Sequence, residues 1–190
     1  MGKALAEAGL PLSSLESRSP MAEFDALGFS CQHELNYPDI LVMLKLGGIP
    51  WRADERDDKH PLVVAGGPGA SNPEPLAPAL DAVVLGDGEP VLPELLRRVG
   101  GLRRKGRSRR ECLDAIADLP GVYLPGRYRP RYSASTGVLE AMDPLSGAPS
   151  RVSRALLPDL EAVAPPAGGL VAASKTIHDR LAVENQRGCT

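Results

Sequence analysis

Apolar residues along this chain come in short runs broken by glycine, proline or charge, and the two densest runs are Leu62-Val63-Val64-Ala65 and Ala82-Val83-Val84-Leu85. Four consecutive apolar residues, rich in valine, suit a strand covered on both faces, so each run predicts a buried strand. Between them PEPLAPAL predicts a short, proline-opened helix. Strand, crossover and strand at this spacing predict a βαβ unit of a parallel sheet. Both strands then end in glycine turns, Gly66-Gly67-Pro68-Gly69 and Gly86-Asp87-Gly88-Glu89. Glycine at the carboxyl ends of parallel strands lets the backbone approach a ligand closely, at the edge where open α/β sheets bind theirs; the same residues also make tight turns.

The pattern elsewhere fits around this unit. Gly2 to Leu10 predicts the last turns of a helix stopped at Gly9, residues 11–20 an edge strand or loop, and Asp25 to Ser30 a core strand. Pro38 to Leu46 is apolar on nearly all sides and predicts a buried helix, with Asn36 as N-cap and Gly47-Gly48 as its stop. Pro90 to Val99 predicts a further helix, opened by proline and closed by Arg97-Arg98 as the helix dipole prefers. Eight of the fourteen residues from Arg97 to Arg110 are basic, a pattern that suits a solvated loop or contact with nucleic-acid phosphate. Without interleaved aromatics the solvated loop is the expectation, and nucleic acid is not an expected partner. Ser108 to Glu111 is a capping box that starts a helix ending near Leu119, with Cys112, Ile116 and Leu119 inward. Gly121 to Pro125 closes the domain as a short strand. RYRPRYSASTGVLEAM predicts a β-hairpin, with Pro130 holding its first strand at an edge. Residues 143–170, rich in proline, alanine and glycine, read as an extended linker with at most one short helical turn.

Two stretches resemble a known family. GGP followed by NPEPL and then DAVVLGDGE is similar to the signature of the cobalamin-binding-type domain found in front of radical S-adenosylmethionine (SAM) enzymes. DRLAVENQRGCT is similar to the first strand of a radical SAM barrel running into the C-x3-C-x2-C loop that holds its iron-sulfur cluster. The resemblance spans Leu10 to Thr190 and is to an uncharacterised group of B12-binding-type radical SAM proteins. It implies an α/β fold: an incomplete Rossmann-like, doubly wound parallel sheet over residues 1–125, a β-hairpin and linker over 126–178, and the opening strand of a truncated TIM-like barrel over 179–190. Because that family carries a strand, a helix and another strand upstream of this point, Met1 is expected to be internal to a longer protein.

The same resemblance implies the chemistry. The parent enzyme would cleave SAM reductively with a [4Fe-4S] cluster, Cys189 being the first cluster ligand, and this piece would be non-catalytic. Its cofactor-binding residues would be Ser30, Gly66, Gly67, Pro68, Gly86, Asp87, Gly88 and Glu89. A corrin is allowed, held without a protein histidine, since the D-x-H-x-x-G motif is absent around His33, His60 and His178. The expected partners are small-molecule cofactors and the remainder of the chain's own barrel. The alternative is a self-contained corrin- or nucleotide-binding module without catalysis.

The residues themselves leave several roles open. Ser30, Gln32 and His33 follow a strand on the ligand side and serve either a ligand or the cap of the next helix. Cys31 is either a small core residue or a reactive thiol. Asp87 and Glu89 suit general acid-base work, a Mg2+ site, or a turn that caps the following helix, and the resemblance favours the last.

With 190 residues, 43% hydrophobic content and a net charge of -2, the chain is long enough for one sizeable core. No run approaches a membrane span and no signal peptide opens the chain, which predicts a cytoplasmic protein. The three widely spaced cysteines make no disulfide framework. Arginine outnumbers lysine 17 to 5, so an arginine cluster here carries less information than usual.

Overall fold

The computed structural model describes residues 2–145, 147–163, 184 and 187. The chain divides into two units, residues 1–156 and 157–190. The first unit is built on a four-stranded sheet in the order β1 (Ala26–Ser30), β2 (Leu62–Gly66), β3 (Ala82–Val84), β4 (Val122–Tyr123). β1, β2 and β3 run parallel, and β4 joins β3 antiparallel. This is the mixed α/β architecture expected from the sequence, consistent with a Rossmann-like domain. Of residues 179–190, where the opening barrel strand is expected, only 184 and 187 are described, and the strand lies outside the described residues.

Side chains alternate across a pleated strand, and here the alternation separates two cores. Val63, Ala65 and Val83 face Ile40 and Leu44 of α2 (Tyr37–Leu46), together with Ile49 and Ala70. Leu62, Val64, Ala82 and Val84 face Leu95 and Val99 of α3 (Leu92–Arg103) and Cys112 of α4 (Arg109–Asp114), with Ile116 beyond it. Fully burying a side chain such as Leu62 or Val63 contributes about 1.5–3 kcal/mol, so this doubly covered sheet supplies much of the unit's stability. Helix α1 (Gly2–Ala8) ends at Gly9, whose φ of 65° reverses the chain as the sequence predicts.

Several elements differ from expectation for identifiable reasons. PEPLAPAL forms no α-helix. Pro73, Pro75 and Pro78 each lack an N–H donor, so only a short 3-10 turn closes at Ala77–Ala79. Helix α2 buries only one side, leaving Val42 and Met43 exposed. Asn36 precedes it without capping it: its Oδ1 accepts instead from the backbone N–H groups of Gln32 at 3.0 Å and His33 at 3.3 Å.

The basic stretch is not simply a solvated loop. Helix α3 starts at Leu92 and continues through Gly100 and Gly101 to Arg103. Arg98 ties it to the Ala115 carbonyl at 2.8 Å and the Asp118 carboxylate at 2.6 Å, and Arg103 ties it to the carbonyls of Asp58 and His60. Gly100 is buried, where an added Cβ would stand 3.6 Å from the Asp25 carboxylate. The capping box forms as predicted, with Ser108 Oγ accepting from Glu111 N–H and the Glu111 carboxylate accepting from Ser108 N–H.

Beyond β4 the hairpin pairs β5 (Tyr128–Tyr132) with β6 (Leu139–Pro144) in antiparallel register. The chain then returns to the main sheet at Ala155, which bridges Gly86 in parallel. Among the described residues no helix is long and apolar enough to cross a membrane.

Candidate functional site

Because β1, β2 and β3 are parallel, their carboxyl ends share one edge, and Ser30, Gly66, Gly67, Pro68, Gly86, Asp87, Gly88 and Glu89 all lie along it. At the β1 end, Cys31 N–H donates to the Gly66 carbonyl at 2.7 Å and Gly69 N–H donates to the Cys31 carbonyl at 2.8 Å. The GGPG turn thus wraps the backbone of residues 31–33. A Cβ on Gly67, whose φ is 95°, would stand 2.7 Å from the Cys31 carbonyl oxygen, and one on Gly69 would stand 2.9 Å from His33 N. Tyr37 closes the same turn from outside by donating its hydroxyl to the carbonyls of Gly69 at 2.9 Å and Asn72 at 3.0 Å.

The second turn is held from behind. Ala155 N–H donates to the Leu85 carbonyl at 2.8 Å, and Asp87 N–H donates to the Ala155 carbonyl at 2.9 Å. Gly86, with φ of 94°, admits this strap: a Cβ there would stand 2.1 Å from the Ala155 oxygen. The need for glycine at positions 67 and 86 therefore comes from the chain's own backbone. Gly88 differs, with open space around its Cβ position, and its carbonyl accepts from Val91 and Leu92 at the start of α3. Ser30 is exposed and its Oγ accepts from Gln32 Nε2 at 3.1 Å.

The cysteines are less versatile than their chemistry allows. Cys31 and Cys112 are both buried and free, and burial pushes both thiols up, away from the reactive thiolate. Among the described residues no group of His, Cys, Asp or Glu is placed to hold a metal ion. Cys189 lies outside the described residues.

A second constellation sits at the opposite, amino-terminal edge of the parallel strands. Asp81, immediately before β3, is buried, and its Oδ2 accepts from Val63 N–H at 2.7 Å. The same oxygen contacts Arg109 and stands 3.3 Å from Nη1 of Arg56. Arg109 also donates to the carbonyls of Pro61 at 3.0 Å and His60 at 3.2 Å, and Arg56 to that of Ala79. Among the described residues Arg56 Nε has no hydrogen-bond partner. One carboxylate thus serves two buried guanidiniums, and burial outweighs Asp81 in pushing the Arg56 pKa down to about 10. Nothing in the sequence marks these three residues as a group, since they are separated by 25 and 28 positions and the arginines hide in an arginine-rich chain. The one local signal is Asp81 itself, a charge directly preceding a buried strand.

A family model described as radical SAM proteins, N-terminal, matches residues 1–125. Comparison with curated proteins and with solved structures finds no match.

Proposed function

The chain belongs to the radical SAM N-terminal family, and from that membership we propose that it works as the N-terminal part of an enzyme that cleaves SAM reductively with a [4Fe-4S] cluster. The observation that carries the cluster assignment is the sequence Arg187-Gly188-Cys189-Thr190, which resembles the start of the C-x3-C-x2-C loop of those enzymes. Cys189 supplies one thiolate, and the parent enzyme's barrel supplies two more. A cluster held through Cys189 and the two further thiolates would supply, when reduced, the one electron needed to break the bond between the SAM sulfonium and its 5' carbon, giving methionine and a 5'-deoxyadenosyl radical.

The residues described in the first unit have a supporting role in this reading. Buried Cys31 and Cys112 are core residues and not cluster ligands. At the carboxyl edge the ligand-facing role falls to Ser30, Gly66, Pro68, Asp87, Gly88 and Glu89, all exposed or half-buried, while Gly67 and Gly86 accommodate neighbouring backbone. The two glycines expected to let a corrin approach, Gly67 and Gly86, lie against Cys31 and Ala155, so a corrin does not fit this edge well.

Anaerobic reconstitution with iron and sulfide tests the proposal. The protein extended through the next two cysteines and the whole barrel should take up a [4Fe-4S] cluster, read by its electron paramagnetic resonance signal after reduction. Residues 1–190 alone should hold no stable cluster. Full cluster occupancy in an extended Cys189→Ala protein would refute the assignment.

A further inference from the structure

A cleft of about 940 Å³ opens at the amino-terminal edge of the sheet, a volume within the range of about 300–1,000 Å³ typical of small-molecule sites. Its two walls differ in chemistry. The hairpin register pairs Pro130 with Met142 and Tyr132 with Leu139, and these four residues line the cleft together with Tyr128. Arg129, Arg131 and Asp143 alternate with them and are absent from the lining. The apolar wall is open to solvent, Tyr132 being 58% exposed and Leu139 43% exposed.

The lining also takes in Arg56, Asp81 and Arg109, all buried. Other carboxylates around the cleft already have partners. Asp54 accepts from Arg52 at 2.9 and 2.7 Å, Asp114 pairs with Arg127, and Glu74 accepts from the Tyr123 hydroxyl at 2.6 Å. The lining as a whole is nearly balanced in charge, but its buried floor is not. There one carboxylate meets two guanidiniums, and the Arg56 side chain, 0% exposed, keeps Nε without an acceptor and Nη1 with an ion contact but no hydrogen bond. A buried cation left without enough acceptors is costly, and an added anion relieves that cost.

We propose that this cleft binds a small organic oxyanion, a carboxylate or phosphate carried on an apolar body. The head enters at Arg109, whose side chain keeps 9% exposure, and pairs with the fully buried Arg56 guanidinium once that side chain turns toward the cleft; planar guanidiniums match either oxyanion, and the body lies against Tyr132, Leu139 and Met142.

The test uses the whole chain labelled with 15N and 13C, following the Arg56 Nε–H resonance and the Tyr132 ring C–H resonances while phenyl phosphate, benzoate or inorganic phosphate is added. A saturable shift is expected with phenyl phosphate or benzoate, and the tighter of the two identifies the head group. Inorganic phosphate should bind at least tenfold more weakly, because it lacks the apolar body. Arg56→Met should abolish the shift at Tyr132. Tyr132→Ala, at an exposed position, should weaken the organic ligand and leave inorganic phosphate unchanged, which keeps the test decisive should Arg56→Met misfold. No saturable shift from any of the three, unchanged affinity in Arg56→Met, or equal affinity for inorganic and phenyl phosphate, meaning an adventitious ion only, would overturn the proposal.

Discussion

Asp81 shows how far one residue's role depends on what surrounds it. Its carboxylate accepts from β2 and faces Arg56 and Arg109 at once, so the three cannot be exchanged independently. Removing it by Asp81→Ala leaves two buried guanidiniums uncompensated, and should destabilise the protein by about 3–5 kcal/mol. Arg56→Met removes the poorly partnered cation while Arg109 still neutralises Asp81, so urea unfolding should find it neutral or stabilised. The pH dependence follows from the same imbalance. Arg56 has a folded pKa of about 10, below that of an unfolded arginine, so its charge opposes folding at neutral pH and that cost fades as pH rises through 10. Any stability advantage of Arg56→Met over wild type should therefore shrink above pH 10. A loss of several kcal/mol in Arg56→Met would show that the cation is better satisfied than the geometry indicates. Elsewhere single residues were legible in advance: Cys112 and Ile116 are core as their helical spacing predicted, and the Ser108–Glu111 box forms because its two side chains need only each other's backbone.

At the scale of elements, what could be read from sequence was whatever local pattern decides. The strands β2 and β3 and the glycine stops of α1 and α2 are set within a few residues and lie within one or two positions of where the local pattern puts them. The extent of α3 was not legible, because Gly100-Gly101 would end most helices and each glycine costs about 1 kcal/mol relative to alanine. What carries the helix past them is tertiary: Arg98 reaches Asp118, and Arg103 reaches the loop at Asp58 and His60. A basic run therefore looked like a solvated loop when part of it is a set of anchors. The distinction predicts opposite outcomes for neighbouring charge reversals. Arg103→Glu would place a carboxylate against the carbonyls of Asp58 and His60 and should lower the melting temperature by several degrees, whereas Lys105→Glu, exposed beyond the helix end, should leave it within about a degree. Equal melting temperatures for the two variants would return the stretch to the solvated class.

Across the whole molecule, the feature least visible in the sequence is the return of the chain to the sheet after the hairpin. Residues 143–170 read as an extended linker, and composition gives no reason for such a segment to pair with anything. Yet Ala155 is buried at 3% exposure, hydrogen-bonds to Leu85 and Asp87, and lies over Gly86 and Gly121 in positions no side chain at those glycines would permit. The signal was present only as two glycines, 35 positions apart, each with φ above 70°. The first structural unit accordingly runs to Leu156 and includes the hairpin. This sets where the chain can be shortened. A version ending at residue 156 keeps both backbone hydrogen bonds of Ala155 and should unfold with the same midpoint as the first unit of the full chain. One ending at residue 149 loses them, at about 0.5–1.5 kcal/mol each, and removes the buried Ala155 side chain from its core cluster as well. Its total loss should be about 2–4 kcal/mol, together with faster hydrogen exchange at Asp87 and unchanged exchange in β1. Identical urea midpoints for the two truncations would mean that the return at Ala155 contributes nothing to the fold.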